Sequence, residues 1–365
     1  MKNMIDMSNN VNKIKVLMVG NHPSVKGGIS SVVTQLLSHA WAKDNIEMRF
    51  IPTYIETNFI FKIAYYLVAY FKIRDYILKS HPDVVHIHMS YKGSFFRKYQ
   101  IHKLCKKHDI PDVIHLHGSE FKKWFDSSSN KKQIKTLLRE CSRVIVLGEK
   151  WNETILDIEP KAKTFVISNT VSIPSEITMY NTPFNVLYMG VLIKRKGVSD
   201  LIEGLNYLKN TNRLEKIKII IAGTGEEEVE LKRKCKEYNL ENYVEFKGWI
   251  SGQQKEALYK NCQMLVLPSY NEGLPMSILE AMSYGMPVVS TNVGDISSAV
   301  KNGENGYLFD PGNVNEMADA IYKIGSDNSL FDMLSRASRK MAQEKFSDKD
   351  YFMNIANMYF DLAGK

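Results

Sequence analysis

Cysteine is scarce, with four in 365 residues: Cys105, Cys141, Cys235 and Cys262, at no Cys-x-x-Cys or other metal-ligand spacing. That excludes a disulfide scaffold and a thiolate metal site, and makes a reducing cytoplasm the simpler setting. A membrane-spanning run is lacking too. The most apolar stretch, Phe59 to Arg74, is interrupted by Lys62 and Lys72 and falls short of the about 20 largely apolar residues that a span needs. Residues 1–12 hold no apolar segment of the kind a secretory signal requires, and are expected to form a flexible tail. No internal repeat or low-complexity tract occurs. Basic residues are dispersed without a recognised nucleic-acid module, so no nucleic-acid partner is expected.

What the chain has is a globular composition, 44% apolar and 24% charged, and length for two domains of roughly 170 residues, each with its own core. Its net charge of +8 suits an anionic partner; by charge alone nucleic acid, nucleotide phosphates and an anionic membrane surface all qualify. Ile14 to Gly20 reads as a strand, Gly27-Gly28 as a loop, and Ile29 to His39 as a helix with Val32, Val33, Leu36 and Leu37 on one face. That order opens a doubly wound α/β domain. The glycines either admit a ligand close to backbone or are merely steric. Met48 to Pro52 is the second strand. Phe59 to Arg74 reads as a helix packed on the sheet; laid on a bilayer instead, it would turn Lys62, Lys72 and Arg74 toward lipid phosphates. Val84 to His88 and Val113 to His117 are strands ending in His-x-His, and a two-residue period puts each pair of imidazoles on one face. A histidine metal site activating water is a rival reading, but no carboxylate motif completes it, and no metal is expected.

Arg143 to Leu147, Glu149 to Leu156 and Thr164 to Ser168 continue as strand, helix, strand. Around Pro174 and Pro183 periodicity lapses, which divides the chain into a first domain over 13–172, a connector over 173–184, a second domain over 185–345 and a final helix within 346–365. The second domain starts with the strand Asn185 to Gly190. The loop after it holds Lys194, Arg195 and Lys196, either a solvated basic face or the positive charge that a diphosphate needs. Lys218 to Gly223 runs into Gly223-Thr-Gly225, but Glu226, Glu227 and Glu228 follow and would repel a phosphate there. Tyr243 to Gly248 is a strand. Met264 to Leu267 stops at Pro268, a polar loop follows, and Pro275 opens a helix with Leu274, Ile278, Ala281 and Met282 on one face. Gly285 and Pro287 separate it from the strand Val288 to Thr291. Glu272 thus sits at a strand's carboxyl end beside the free N–H groups of a helix start, with Glu280 two turns along. Pattern alone favours two surface carboxylates. Residues 302–310 read as a hairpin-like piece, and two helices close the chain.

The run Glu272-Gly-Leu-Pro-Met-Ser-Ile-Leu-Glu280, with its lead-in Leu267-Pro-Ser-Tyr-Asn and exit Ala281-Met-Ser-Tyr-Gly-Met-Pro287, resembles the Glu-x7-Glu signature of the retaining GT-B glycosyltransferases of family 4. That family includes many bacterial capsule and lipopolysaccharide sugar transferases. The resemblance implies two doubly wound Rossmann-like α/β domains with a cleft between them, donor on the second and acceptor on the first, and a last helix crossing back to the first. It implies a UDP- or GDP-sugar donor, a glycan or lipid-linked acceptor, a cytoplasmic site that is often at the inner face of the plasma membrane, and no metal or other cofactor. By the same resemblance Glu272 faces the donor sugar, Glu280 holds the ribose, and the backbone of Gly273, Leu274 and Pro275 meets sugar and diphosphate. Gly27 and Gly28 lie over the donor phosphates, His117 near the transferred sugar, Gly190, Arg195 and Lys196 at the diphosphate, and Gly248 and Trp249 at the base. Two departures stand out. Val191 occupies the place of an Arg after Gly190, with Arg195 as its stand-in, and Thr170 stands where a Gly is common. A nucleotide-sugar 2-epimerase shares the architecture and is the alternative enzyme. A non-catalytic sugar-nucleotide-binding protein is the other alternative, disfavoured by the presence of both glutamates.

Overall fold

A computed structural model describes residues 13–118 and 120–365; the tail expected over 1–12 lies outside the described residues. In chain order the elements are β1 (Ile14–Asn21), α1 (Gly28–Ser38), β2 (Ile46–Tyr54), α2 (Phe59–Ser80), β3 (Val84–Met89), α3 (Gly93–Lys107), β4 (Asp112–Leu116), α4 (Phe121–Ser127), α5 (Lys131–Glu140), β5 (Arg143–Val146), α6 (Glu149–Ile158) and β6 (Thr164–Val166). They continue as β7 (Phe184–Met189), α7 (Val198–Asn210), β8 (Ile217–Ala222), α8 (Glu228–Glu237), β9 (Val244–Gly248), α9 (Gly252–Asn261), β10 (Met264–Leu267) and α10 (Met276–Ser283). The chain ends with β11 (Val288–Thr291), α11 (Ile296–Ala299), β12 (Gly306–Phe309), α12 (Val314–Gly325), α13 (Asn328–Lys345) and α14 (Tyr351–Ala363).

The chain folds as two compact units. One takes the chain through Ile145, then Ile155–Phe165 and Asp350–Lys365; the other takes Val146–Thr154 and Val166–Lys349. The first holds a sheet ordered β2-β1-β3-β4-β5-β6, in which β1 runs parallel to β2 and β3, and β4 to β3 and β5. Every residue of β3 and β4 is buried, as parallel strands covered on both faces require. That rule forces His86, His88 and His115 into the interior with the aliphatic residues. α14 belongs to this unit: Trp41 and Tyr359 lie 5.9 Å apart centroid to centroid, and His39 stacks on Phe352 at 4.0 Å.

The second sheet is parallel throughout, ordered β12-β11-β10-β7-β8-β9. Its core joins Val186, Leu187 and Tyr188 of β7 to Leu201, Ile202 and Leu205 of α7 and to Ile278, Leu279 and Met282 of α10. Three local expectations change here. Gly306–Phe309 is no hairpin: it pairs in parallel with β11, as the edge strand β12. Three helices, not two, close the chain, because Asp327 caps a fresh helix by accepting from Leu330 N at 3.0 Å. The stretch read as a connector over 173–184 belongs to the second unit. Thr178 is buried there, its N donating to Tyr284 O at 2.8 Å and its hydroxyl to Cys262 O at 2.6 Å.

Candidate active site

In the second sheet β7 lies between β10 and β8, so the winding direction changes between β7 and β10. The crevice at the carboxyl ends of two such strands is where open α/β sheets take their ligands. Here the loop after β7 meets the loop after β10. Lys196 donates a short hydrogen bond to Glu272 Oε1. Arg195 sits 3.9 Å from Glu272 Oε2 and donates from Nη1 to Asn271 O at 2.5 Å, while Tyr270 N donates to Arg195 O at 2.8 Å. Two cations and a carboxylate whose side chain is only 9% exposed therefore share the place where the two loops cross. The charges are partly desolvated, so their attraction is stronger than on an open surface.

Two backbone features fix this crossing. Gly197 has φ +67, and a Cβ there would fall 2.0 Å from Pro268 O, so the β7 loop reaches the β10 loop only with glycine at this position. Gly294 has φ +56, and a Cβ on it would fall 2.1 Å from Glu272 O. The turn after β11 thus lies directly under the Glu272 peptide, and Asp295 N donates to Gly273 O at 3.1 Å. Asn169 adds a further support, Nδ2 donating to Leu274 O at 3.2 Å. Pro275 caps α10 in extended conformation with ψ 132, one residue earlier than the first-turn place its sequence suggests. The Gly223-Thr-Gly225 run after β8 serves the neighbouring backbone: Leu192 N donates to Thr224 O at 3.0 Å and Glu227 N to Leu192 O at 3.1 Å.

Glu280 stands apart from Glu272, on α10, and has its own partners. Lys255 Nζ donates to Oε1 at 2.5 Å and Tyr259 Oη to Oε2 at 2.7 Å. Burial, reinforced by the Glu280 charge, pushes the Tyr259 hydroxyl well above its usual range and keeps it a donor. Lys255 and Tyr259 lie four residues apart on one face of α9, a pairing the sequence showed only as ordinary helical spacing. Gly248, at φ +67, ends β9 at the far edge of the same sheet, and Trp249, 41% exposed, follows it. Gly190 directly follows β7.

The remaining predicted residues lie in the first unit. Gly27 and Gly28 start α1 with open space around both. His117 follows β4 and is half-buried in a stack of four imidazoles: His86 over His88 at 4.6 Å, His88 near His115 at 4.9 Å, and His115 on His117 at 4.2 Å. His88 Nδ1 pairs with His117 Nε2 at 2.9 Å, and His86 links Tyr359 Oη at 2.5 Å to His115 at 3.2 Å. Burial lowers all four; His86 and His117 fall to about 3, which leaves neutral rings at working pH. Ligand atoms of His86, His88 and His115 lie within 4.8 Å of one another. A metal, however, sits in the plane of each imidazole that binds it, and His86 and His88 are nearly parallel, with 17° between their planes. The stack favours ring contact and hydrogen bonding over shared coordination.

Comparison with known proteins decides the family. Two family models follow one another along the chain: Glycosyltransferase Family 4 over residues 27–173 and Glycosyl transferases group 1 over residues 172–341. The chain belongs to the GT-B glycosyltransferases of family 4. Among relatives of this transferase is the UDP-Gal:alpha-D-GlcNAc-diphosphoundecaprenol alpha-1,3-galactosyltransferase of Escherichia coli, 24% identical over 88% of this chain and 85% of that one. The 2-deoxystreptamine N-acetyl-D-glucosaminyltransferase of Niallia circulans is 26% identical over 77% of each. Among solved structures, sucrose-phosphate synthase from Thermosynechococcus elongatus superposes with a TM-score of 0.80, at 19% identity, over 96% of this chain and all of that one. Anabaena HepE in complex with UDP-glucose does so with 0.72, at 19% identity, over 96% and 99%. These structural likenesses bear out the expected fold: α/β, with two parallel six-stranded sheets. The Arg195–Lys196–Glu272 cluster of the transferase falls in the residues matched by the group 1 model.

Proposed function

We propose that the transferase moves a sugar from a nucleotide diphosphate sugar to a glycan or lipid-linked acceptor in surface polysaccharide synthesis, with anomeric configuration retained and without a metal. The observation that carries this reading is the Lys196–Glu272 ion pair at the β7–β10 switch point, with Arg195 beside it. Two fixed cations next to a helix start match the needs of a departing diphosphate. The bond from the anomeric carbon to the β-phosphate oxygen breaks as that from the acceptor oxygen forms on the same face. The acceptor's proton goes to the leaving phosphate oxygen, and Arg195 and Lys196 balance its growing charge. Glu272 faces the sugar and holds Lys196 in place. Glu280, steadied by Lys255 and Tyr259, takes the ribose. The backbone of Gly273, Leu274 and Pro275 meets sugar and diphosphate, and Gly190, Gly248 and Trp249 border the nucleotide.

In the first unit, Gly27 and Gly28 serve the donor phosphates and His117 the transferred sugar, with the acceptor bound on that unit. A UDP donor is favoured over a GDP one by the names of the Escherichia coli relative and of the HepE complex. The same relative's diphosphoundecaprenol substrate favours a lipid-linked acceptor at the cytoplasmic face of the membrane.

The test is a thermal-shift screen of nucleotide sugars with and without EDTA, since a ligand that binds the native state raises its apparent stability. One UDP- or GDP-sugar is expected to raise Tm by several degrees at about 100 times Kd, where the stabilisation is about 2.7 kcal/mol. The shift should survive EDTA and vanish in Glu280→Ala. Stabilisation abolished by EDTA would reject the metal-free mechanism and return attention to the histidine stack. Released sugar nucleotide with an epimerised sugar and no transfer product would identify an epimerase instead.

A further inference from the structure

α2 carries two apolar faces, and the fold uses one. Ala69, Ile73 and Ile77 recur every four residues and are buried. A second stripe at the same helical period points the other way: Ile60 is 77% exposed, Ile63 47%, Leu67 49%, Val68 55%, Phe71 58% and Leu78 42%. Scattered exposed apolar residues are ordinary on a protein surface, but a stripe that runs unbroken from Ile60 to Phe71, with Leu78 beyond the exposed Arg74 and Asp75, is an interaction face. At 1.5 Å per residue the helix is about 33 Å long and the unbroken stripe about 18 Å of it. Asn58 fixes its start, Oδ1 accepting from Phe61 N at 3.0 Å. Among the described residues no helix is long and apolar enough to cross a membrane. A helix with this pattern lies along an interface instead.

The charge around the stripe selects its occupant. Residues 57–108 contain ten lysines and arginines against Asp75 and Asp83 alone; Lys98 is buried in the interior, and the other nine reach the surface. On α2 itself Lys72, Arg74 and Lys79 are exposed, and only Lys79 has an acidic partner on the helix, Asp75 at 2.8 Å. α3 contributes exposed Lys103, Lys106 and Lys107 and an exposed Phe96, and contains no acidic residue. A second copy of the chain would bring like charge against like charge; an anionic bilayer would complement it.

We propose that the exposed face of α2 is a membrane-docking surface, which lays the helix flat on an anionic phospholipid bilayer with Ile60, Leu67 and Phe71 among the acyl chains and the neighbouring lysines and arginines at the phosphates. This deepens, and rests on, the reading of the protein as a transferase that serves a lipid-linked acceptor. It places the first unit, the proposed acceptor side, at the surface where such an acceptor resides. Neither apolar insertion nor charge alone gives stable attachment, whereas the two signals together do.

The test is flotation of the full chain with vesicles of phosphatidylcholine alone and of phosphatidylcholine with about 30% phosphatidylglycerol, at 0.1 M and 0.5 M salt. Binding is expected to the anionic vesicles only, weakened by salt. The double variant Leu67→Gln/Phe71→Gln should bind them at least about tenfold less, a loss on the scale of two large apolar side chains withdrawn from the acyl region. Met333→Gln, which changes another exposed apolar residue, on α13, should bind like the wild type. Equal flotation of wild type and double variant overturns the proposal. So does a wild type that ignores vesicles but forms a dimer by light scattering that the double variant lacks. Nucleotide-sugar binding, measured on the same proteins without vesicles, reports the transferase reading separately. Loss of that binding with intact flotation would reject that reading alone, and the converse result would reject the docking face alone.

Discussion

Lys196→Ala is expected to lower sugar-transfer turnover by roughly 10²-fold or more, the usual cost of losing a group that stabilises charge developing in the transition state. That factor corresponds to about 2.7 kcal/mol of barrier. Lys196 is one of two cations that face Glu272 at the switch point of the second sheet; the other, Arg195, lies 3.9 Å from Glu272 and is engaged with Asn271 O. Arg195 is thus partly committed to holding the β10 loop, and Lys196 is the cation in direct contact with the Glu272 carboxylate. The same substitution acts on stability. It leaves the Glu272 carboxylate, 9% exposed, facing only Arg195. Breaking a fully buried pair costs about 3–5 kcal/mol; Lys196 keeps 16% of its side-chain surface, so the figure here is discounted to about 1–3 kcal/mol. Lys196→Ala combined with Glu272→Gln should recover most of that stability, because no carboxylate is then left unpaired, while turnover stays low. Steady-state transfer at saturating donor and thermal unfolding, read on the single and double variants, separate the two effects. Near-normal turnover in a folded Lys196→Ala protein would remove this lysine from the mechanism.

The parts of this site legible in the sequence are those whose signals are local. Met264–Leu267 stops at Pro268, and Leu274, Ile278, Ala281 and Met282 share one helical face, so the strand, loop and helix around Glu272 could be located to within a residue or two. The alternation of β and α likewise marked both sheets. What pairs across the fold was not legible. Glu272 and Lys196 are 76 residues apart, and Glu280 meets Lys255 and Tyr259 only because the fold brings these three side chains together. The sequence makes β12 look like a hairpin because Asn302, Gly303 and Gly306 give a strong turn signal, whereas its partner β11 lies earlier in the chain. α3 is masked in the sequence for another reason. Its buried face mixes Phe95, Ile101 and Leu104 with Lys98 and His102, and these polar members blur the apolar period on which a helix is recognised. Each is held internally, His102 by Asp112 at 2.8 Å and Lys98 by Thr53, so the interior tolerates them. The stretch around Thr178 shows the converse. It has no period, yet its backbone and hydroxyl bonds bind it to the second unit.

The histidine stack predicts a steep loss of stability in mild acid. His86, His88, His115 and His117 are ordinarily half-titrated near 6.5, and burial holds all of them lower in the folded protein, His86 and His117 at about 3. As pH falls through 6.5 the unfolded chain takes up protons on these rings while the native stack takes up none. Stability is therefore complete above about pH 6.5 and is lost progressively between that value and about pH 3, by about 1.4 kcal/mol per pH unit for each ring kept neutral. Several rings together bring the loss within two pH units to the scale of a domain's whole stability, about 5–15 kcal/mol. The surroundings oppose native protonation from each side. Burial acts on all four rings, His117 opposes added charge on His86, the neighbouring imidazoles oppose it on His88 and His115, and Lys98 of α3 raises the cost at His88. Thermal unfolding between pH 7.5 and 5 should show Tm falling below pH 6.5. Exchanging His115 for glutamine, a side chain that cannot titrate, should flatten that slope by one ring's share even if it lowers Tm at pH 7.5. An unchanged slope would mean that His115 is protonated within the fold, and the neutral stack would have to be abandoned.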